Sequence, residues 1–387
     1  MAERGMSVEG VRRRNLGEVL RLVHREGAQS RARITAATGL NRSTVADLVA
    51  SLAEAGLVEE REPGQTRRVG RPSPIVAPSE DVVAIAVNPE VDAIEVGAVA
   101  LGGAVRVRVR EDVDHLLTPD ETARIVARVL DGWRTHELAG ARVVGVGVAV
   151  PALVRARDGV VRLAPHLGWR DAAVGEPLRE ATALPVVVGN DASLGARAEH
   201  LFGAAKGYDD VVYLNGGASG IGGGLILGGR TIGGAGGYAG EWGQNRPGIL
   251  DDADRRTAAG VLEDEVSRWR LLEVLGLASA DDPTLARSLA EADTAAVADE
   301  VGRQRRILAT ALANAVNVLN PSVIVLGGFL GMLVAADEAG FDAAVREHAL
   351  AAPAEGLDIR PAALAEDRLL IGAAEAALGA LLADPLA

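Results

Sequence analysis

Residues 215–244 form the part of this sequence whose residue types and spacing most clearly suggest chemistry. Thirteen of the 25 residues from Gly216 to Gly240 are glycine, and a lone acid, Glu241, follows them. Two apolar runs, Val211–Leu214 and Gly224–Leu227, predict strands on either side of a glycine-rich turn. Glycine lets the backbone approach a ligand closely, and tight glycine turns can aim several N–H groups at one phosphate. The segment therefore predicts a phosphate-binding hairpin, with a set of hairpin turns that bind nothing as the alternative.

A second polar pair, Asn190 and Asp191, follows the apolar run 186–188. We predict that this run is a buried strand and that a helix follows at Ser193–Phe202. The pair would then stand at the carboxyl end of a strand, where the ligand sites of α/β proteins usually lie. A ligand site at Asn190 and Asp191 is our main hypothesis, and a surface loop that happens to carry acids is the alternative.

Composition limits the classes of protein and of site. A chain of 387 residues with 48% hydrophobic and 24% charged residues predicts two to three globular domains. The absence of cysteine excludes disulfides and thiolate zinc sites, and the six histidines are scattered. There is no signal-like segment and no apolar run near 18 residues, so we expect a cytoplasmic protein without a membrane span.

Charge is distributed unevenly along the chain. The formal charge is +4 for residues 1–78 and −17 for the remainder, which gives the net −13. A small basic end on an acidic body predicts a nucleic-acid-binding module attached to another domain.

The basic end has the spacing of a helix-turn-helix module. Its first predicted helix closes at Gly27, the second spans Arg31–Thr38 after the N-cap Ser30, and the third begins after the N-cap Asn41. In such modules the helix after the turn enters the major groove with its N-terminal residues on base edges. The alternative is a solvated three-helix bundle that contacts other proteins.

The segment Val58–Val76 predicts a β-wing whose basic tip can lie along phosphates or a narrow minor groove. The candidate DNA-binding residues of the module and its wing are Arg31, Asn41, Arg42, Ser43, Thr44, Arg67, Arg68 and Arg71.

The N-terminal sequence RNLGEVLRLV…SRARITAATGLNRSTVADLVASLAEAGLV…RRVGRP resembles the N-terminal domain of transcriptional regulators of the ROK family (repressor, open reading frame, kinase). The resemblance continues over nearly all 387 residues. It implies an α/β fold class, with a winged helix-turn-helix followed by a two-lobed, actin-like (ribonuclease H-like) sugar-kinase fold. We predict the DNA-binding domain at 1–78, a small lobe at 79–190 and a large lobe at 191–387. A C-terminal helix at 369–382 is expected to pack back on the small lobe.

The resemblance also implies roles for residues of the body. Asp191 of the GNDAS motif matches the catalytic base of the family's kinases, and Asn190, Glu241 and Glu263 match their other polar sugar contacts. Carboxylates and amides suit sugars because each hydroxyl both donates and accepts. His166 stands where the family usually has Asn, and Gln244 where it has a zinc-binding His. The candidate ligand-binding residues are His166, Asn190, Asp191, Glu241, Gln244 and Glu263.

Two motifs of the family are missing. The phosphate loop, Asp-x-Gly-Gly-Thr, should fall at Val87–Asp92, where this chain has ValAsnProGluValAsp. Its glycines are gone, and Glu90 adds negative charge that repels a nucleotide. The zinc loop should fall at Pro247–Val261, which contains no cysteine, so the family's zinc cannot bind there in the same way. We expect no catalytic residue, no metal and no other cofactor.

We therefore predict a sequence-specific DNA-binding regulator, a repressor, whose kinase-like domain binds a sugar or sugar phosphate and does not phosphorylate it. The expected partners are a double-stranded operator and the sugar effector, and the expected assembly is a homodimer or homotetramer. The alternative is an active ATP-dependent sugar kinase that carries a DNA-binding domain. A third possibility is a regulator that has lost sugar sensing and responds to a protein partner.

Overall fold

The computed structural model of the chain describes residues 8–62, 73–249, 251–258, 260–335 and 337–387. These residues form two compact units, each assembled from separate stretches of the sequence. The first unit contains Met1–Ala149, Ala173–Val188 and Ala373–Ala387, and the second contains Val150–Ala172 and Gly189–Gly372. The predicted division into three domains with boundaries at residues 78 and 190 stays a prediction.

The N-terminal module consists of three helices and three short strands. In chain order they are α1 Val8–Glu26, β1 Gln29–Ser30, α2 Arg31–Thr38, α3 Arg42–Glu54, β2 Val58–Arg61 and β3 Ile75–Pro78. The predicted caps are confirmed, because the Ser30 side chain accepts from the backbone N–H of Arg33 and the Asn41 side chain from that of Thr44. The two strands of the predicted wing pair in antiparallel fashion, while the tip between them, residues 63–72, lies outside the described residues.

The remaining strands form one sheet around β4 and β7, and two further sheets. In chain order they are β4 Val82–Pro89, β5 Ala93–Ala100, β6 Val105–Asp112, β7 Arg142–Val150, β8 Leu153–Val154, β9 Val161–Ala164, β10 Trp169–Ala172, β11 Val186–Asn190, β12 Val211–Gly217, β13 Gly220–Leu227, β14 Arg230–Thr231, β15 Val323–Gly328 and β16 Asp358–Pro361. The larger sheets have the orders β11-β7-β4-β5-β6 and β14-β13-β12-β15-β16, and the third has β10-β9-β8. In both large sheets antiparallel hairpins continue into parallel strands, a mixed pattern that places helices on the sheet faces.

The remaining helices are, in chain order, α4 Pro119–Thr135, α5 Gly175–Thr182, α6 Asp191–Phe202, α7 Leu262–Glu265, α8 Arg268–Val274, α9 Asp282–Glu291, α10 Ala295–Leu319, α11 Phe329–Ala335, α12 Glu338–His348, α13 Ala351–Ala354 and α14 Arg368–Ala383. The long helix α10 and helix α12 pack on each other in the core of the second unit, which Leu308, Leu312 and Phe341 help to fill. From Ala373 onward, α14 belongs to the first unit, where Ala373 packs directly on Gly147 of β7.

The glycine-rich segment differs from the prediction of a glycine-rich turn between two short strands. Most of its first glycines lie inside strands β12 and β13, which pair from Val211–Ile226 to Gly217–Gly220 and leave only Ala218 and Ser219 at the turn. The reason is steric, because neighbouring elements approach the backbone of β13 so closely that side chains have no room. Close packing accounts for these strand glycines.

The first unit joins the DNA-binding module to the C-terminal helix through a buried histidine. The Nδ1 atom of His24, near the end of α1, accepts from the backbone N–H of Gly102 at 2.8 Å. Its proton therefore lies on Nε2, which donates to Glu375 of α14 at 2.7 Å. The side chains of both residues are at most 3% exposed. Nearby, Arg21 donates to the carbonyl of Leu382 at 2.7 Å, which adds a second tie between α1 and α14.

We expect Glu375→Leu to lower the free energy of unfolding by about 1–3 kcal/mol, because the buried Nε2–H of His24 loses its acceptor. Urea unfolding followed by circular dichroism measures this cost. Arg13→Gln is the matched control, because Arg13 pairs with Asp384 of the same C-terminal segment but is 55% exposed. Breaking that exposed pair should cost less than about 1 kcal/mol. An equal loss of unfolding free energy in the two variants would contradict a stabilising role for the buried hydrogen bond between His24 and Glu375.

Candidate functional site

One cavity of the second unit brings together all six residues predicted to bind a ligand. The cavity has a volume of about 370 Å³, at the small end of the range usual for ligand sites. Three of its lining residues are carboxylates, and we therefore call it the acidic cavity. Its polar lining residues are His166, Asn190, Asp191, Asn215, Ser219, Glu241, Gln244 and Glu263.

Close packing of α6 on β13 places Asp191. A Cβ added at Gly222 would lie 2.7 Å from the Cβ of Ala192, and one at Gly224 would lie 2.5 Å from that of Ala196. Both distances are shorter than carbon atoms tolerate, so only glycine allows the helix to lie this close. The first residue of α6 is Asp191, whose carboxylate accepts from the backbone N–H of Ala192 at 2.7 Å. Desolvation raises the pKa of the Asp191 carboxyl.

Asn190 is the N-cap of α6, and both polar atoms of its amide form hydrogen bonds within the protein. Its Oδ1 accepts from the backbone N–H of Ser193 at 2.8 Å, and its Nδ2 donates to the carbonyl of Ala152 at 3.1 Å. These bonds fix the start of the helix beside the acidic cavity. Asn190 therefore orients Asp191 as well as lining the site.

Glu263 of α7 occupies a cradle built by two glycines. A Cβ at Gly220 would lie 2.5 Å from its Oε2, and one at Gly243 would overlap the same oxygen. The backbone N–H of Ile221 donates to Oε2 at 3.3 Å, and Nε2 of Gln244 donates to Oε1 at 2.5 Å. The carboxylate of Glu263 is thus held in one orientation at the wall of the acidic cavity.

Glu241 contributes the third carboxylate and remains open to solvent on one side. Desolvation by the cavity wall raises the pKa of the Glu241 carboxyl, and the negative charges of Asp191 and Glu263 raise it further. The three acids therefore repel one another across a small space. Hydroxyl groups of a ligand can donate to all three.

Asn215 and Ser219 line the acidic cavity but were not among the predicted ligand-binding residues. Asn215 ends the apolar part of β12, and its buried Oδ1 has no hydrogen-bond partner among the described residues. Its position after an apolar strand, like that of Asn190, was the signal that could have identified it. His166, which was predicted, lies exposed in a short 3-10 helix, Pro165–Leu167, at the edge of the cavity.

The residues present do not fit the family's zinc ion. Gln244 is the residue expected in place of the histidine ligand, and its amide nitrogen donates to Glu263. The segment 247–261 contains neither cysteine nor histidine. Loop 251–258 is instead held by Arg303 of α10, which donates to the carbonyl of Asp254 at 2.8 Å, and by Arg306, which pairs with the Asp254 carboxylate at 2.7 Å.

The β4–β5 turn of the first unit contains the segment Val87–Asp92, in which the resemblance led us to expect the family's phosphate loop. Glu90 accepts from Asn88 Nδ2 at 2.9 Å and pairs with Arg110 at 2.7 Å. Arg110 also lies within 3.4 Å of Asp92 and of Asp112, so one guanidinium faces three carboxylates. The hydrogen bond that Arg110 donates to the Glu90 carboxylate is the main cause that raises the pKa of Arg110. This turn is a closed, net acidic hairpin without a glycine-lined anion site.

The predicted DNA-binding residues of α3 lie together on the surface. Asn41, Arg42 and Ser43 are exposed and Thr44 is half-buried, while the apolar face of the helix is buried. Arg31 lies on α2, and its guanidinium forms a two-pronged ion pair with Glu60 of β2, with contacts of 2.6 Å. The predicted wing residues Arg67, Arg68 and Arg71 lie outside the described residues.

Comparison with known proteins matches residues 93–380 to the ROK family and residues 15–62 to the IclR helix-turn-helix domain. The chain belongs to the ROK family. The kinase-like body of this ROK protein accounts for most of its length. The two matches confirm the predicted order of a helix-turn-helix domain followed by a sugar-kinase-like fold.

Relatives of this ROK protein include regulators and kinases. It is 26% identical to a xylose repressor of Caldicellulosiruptor bescii over 327 residues, 77% of this chain and 78% of the repressor. It is 29% identical to a glucokinase of Halalkalibacterium halodurans over 311 residues, 72% of this chain and 92% of the kinase. The fold matches the crystal structure of a ROK family transcriptional regulator, a homologue of the E. coli MLC protein. The TM-score is 0.75 and the identity 23%, over 96% of this chain and 97% of that one.

Among the described helices of this ROK protein, none combines the length and the apolar character that a membrane crossing requires.

We expect Glu241→Gln to stabilise the ligand-free protein at neutral pH, because it removes a charge that desolvation, Asp191 and Glu263 disfavour. A carboxyl whose pKa is raised by folding favours the folded state at low pH and loses that contribution as the pH rises through its folded pKa. The gain in melting temperature should therefore be largest at pH 7–8 and shrink toward pH 4. Thermal unfolding scans across this range measure it. A gain that grows as the pH falls would contradict the charge arrangement.

Proposed function

We propose that this protein is a transcriptional repressor that binds operator DNA through its N-terminal module and is controlled by a neutral sugar in the acidic cavity. One observation carries the proposal. A helix-turn-helix domain with an exposed polar first turn on α3 is joined to a ROK body whose acidic cavity has the polar groups for a sugar. In this proposal the sugar binds without being phosphorylated.

The charges that line the acidic cavity favour a neutral sugar over a sugar phosphate as its ligand. Asp191, Glu241 and Glu263 line it, and none of its described lining residues is an arginine or a lysine. A phosphate would meet three acids without a basic partner, and such like-charge contacts cost free energy. Neutral hydroxyls would instead donate to these carboxylates.

The charges around the β4–β5 turn support the proposal that the protein binds a sugar without phosphorylating it. Kinases need positioned donors and cations around the transferred phosphoryl group. Here Glu90, Asp92 and Asp112 surround Arg110, so the turn has three negative charges against one positive charge. The active kinase remains the competing function, because kinases of the family are also close relatives.

We further propose that the protein acts as a cytoplasmic homo-oligomer on a two-fold symmetric operator. A single helix-turn-helix makes few base contacts, and dimers bind two half-sites one helical turn apart. A sugar that binds two conformations with different affinity would change the spacing of the paired modules and release the operator.

We expect a neutral pentose or hexose to raise the melting temperature and to release operator DNA, whereas its sugar phosphate does neither. At 100 times its dissociation constant a ligand should stabilise the protein by about 2.7 kcal/mol. A thermal-shift screen of sugars paired with their phosphates, followed by operator-release assays, tests this expectation. Asp191→Asn should weaken the response, and Asp293→Asn, which changes an exposed acid outside the cavity, is the control.

A sugar phosphate that binds more tightly than its parent sugar would contradict the assigned ligand. Sugar-dependent release of ADP from ATP above background would favour the kinase instead.

We expect Arg42→Ala to weaken operator binding and to relax sequence preference at one position of each half-site, at a cost of about 1–3 kcal/mol for that base pair. Arg42 is the exposed first residue of α3, so the change should leave the stability of the module unaltered. Binding to operator variants by fluorescence anisotropy measures the effect. Arg25→Ala, on the exposed side of α1, is the control. Identical base preferences for wild type and Arg42→Ala would contradict this role.

A further inference from the structure

Arg303 of α10 is buried in the second unit between two carboxylates. Its guanidinium pairs with Glu300 through Nε at 2.9 Å and through a terminal nitrogen at 2.7 Å. Its other terminal nitrogen reaches Glu265 Oε2 at 3.1 Å. The Arg303 side chain is 2% exposed and that of Glu265 is fully buried. Ions removed from water require several well-placed hydrogen bonds, and this arginine has them.

The same guanidinium also ties down two stretches of backbone. It donates to the carbonyl of Asp254 in loop 251–258 at 2.8 Å, and to the carbonyl of Glu265 at 2.6 Å. The Glu265 carboxylate in turn accepts from the backbone N–H groups of Arg256 and Thr257 at 3.0 and 2.9 Å. Burial raises the pKa of Glu265, but the bonds from Thr257 and Arg256 outweigh burial and hold that pKa below its usual value.

Glu265 is two residues from the carboxylate that lines the acidic cavity. Both acids belong to the single turn α7, Leu262–Glu265. Glu263 points to its cradle beside Gly220 and Gln244, while Glu265 is bound by Arg303. Glu265 at the end of this short turn accepts hydrogen bonds from Arg256, Thr257 and Arg303, so the turn cannot rotate without breaking them.

We propose that Arg303 is the positioning residue of the acidic cavity, and that its ion pairs with Glu265 and Glu300 hold the segment in which the family's zinc loop was expected. The guanidinium orders loop 251–258 and α7, and through α7 it sets the orientation of Glu263 toward a bound sugar. This inference rests on the proposed function, because it assigns the sugar as the ligand that Glu263 contacts.

The variant Arg303→Lys tests the inference, since lysine keeps the charge but lacks the planar fork. Arg305→Lys on the same helix is the matched control, because Arg305 pairs with Asp337 and does not contact loop 251–258. We expect Arg303→Lys to weaken sugar binding about 10-fold or more, with wild-type operator affinity in the absence of sugar. Chelators should leave sugar binding by the wild type unchanged.

Limited trypsin digestion supplies a second readout that does not depend on sugar. Loop 251–258 contains the exposed sites Arg255 and Arg256. We expect cleavage there, identified by mass spectrometry, to be faster in Arg303→Lys than in the wild type or Arg305→Lys. A role in overall stability alone would lower the melting temperature without selective cleavage of this loop. If Arg303→Lys does not fold, Glu265→Gln, which leaves the Arg303–Glu300 pair in place, takes its place.

Sugar affinity within twofold of the wild type, together with wild-type resistance of the loop to trypsin, would overturn the assignment. If the wild type itself binds none of the sugars, the proposed function fails instead, while the digestion still decides whether Arg303 orders the loop.

Discussion

Close approach of helix α6 to strand β13 is the constraint on which the candidate site depends. Gly222 and Gly224 face Ala192 and Ala196, and any larger residue in the strand would push the helix away. The N-terminus of α6 would move with it, and Asp191 is the first residue of that helix. The glycines of β13 therefore act through packing, because they determine where the Asp191 carboxylate lies.

Local signals in the sequence predicted the DNA-binding module and the members of the site. The N-caps Ser30 and Asn41 follow rules that operate within four residues, so they could be identified without tertiary information. The family motifs indicated Asp191, Glu241 and Glu263, which the fold brings to one cavity. The packing role of the β13 glycines was missed because it depends on a helix that precedes the strand by about 30 residues.

Contacts between residues that are distant in the sequence could not be predicted from such local rules. Arg303 and Glu265 are 38 residues apart, and nothing in the pattern of α10 distinguishes the buried guanidinium of Arg303 from the more accessible ones of Arg305 and Arg306. The missing zinc ligands were visible in the sequence, but what holds the loop in their absence was not. Ion pairs place several partners around one centre much as a metal does, and they require no metal supply. Their strength depends on burial, which only the fold provides.

The contacts of α1 with α14 make two helices that are distant in the sequence interdependent. Arg21 and Leu382 are 361 residues apart in the sequence, and His24 and Glu375 are 351 residues apart. A ribosome-bound chain can form the helices of the DNA-binding module early, because domains fold as they emerge. Helix α1 nevertheless gains Glu375, the buried partner of His24, only after α14 has been made. A chain that lacks α14 would lose both the Glu375 carboxylate beside His24 and the Leu382 carbonyl beside Arg21, so the contacts of the DNA-binding module with the rest of its unit depend on an intact α14.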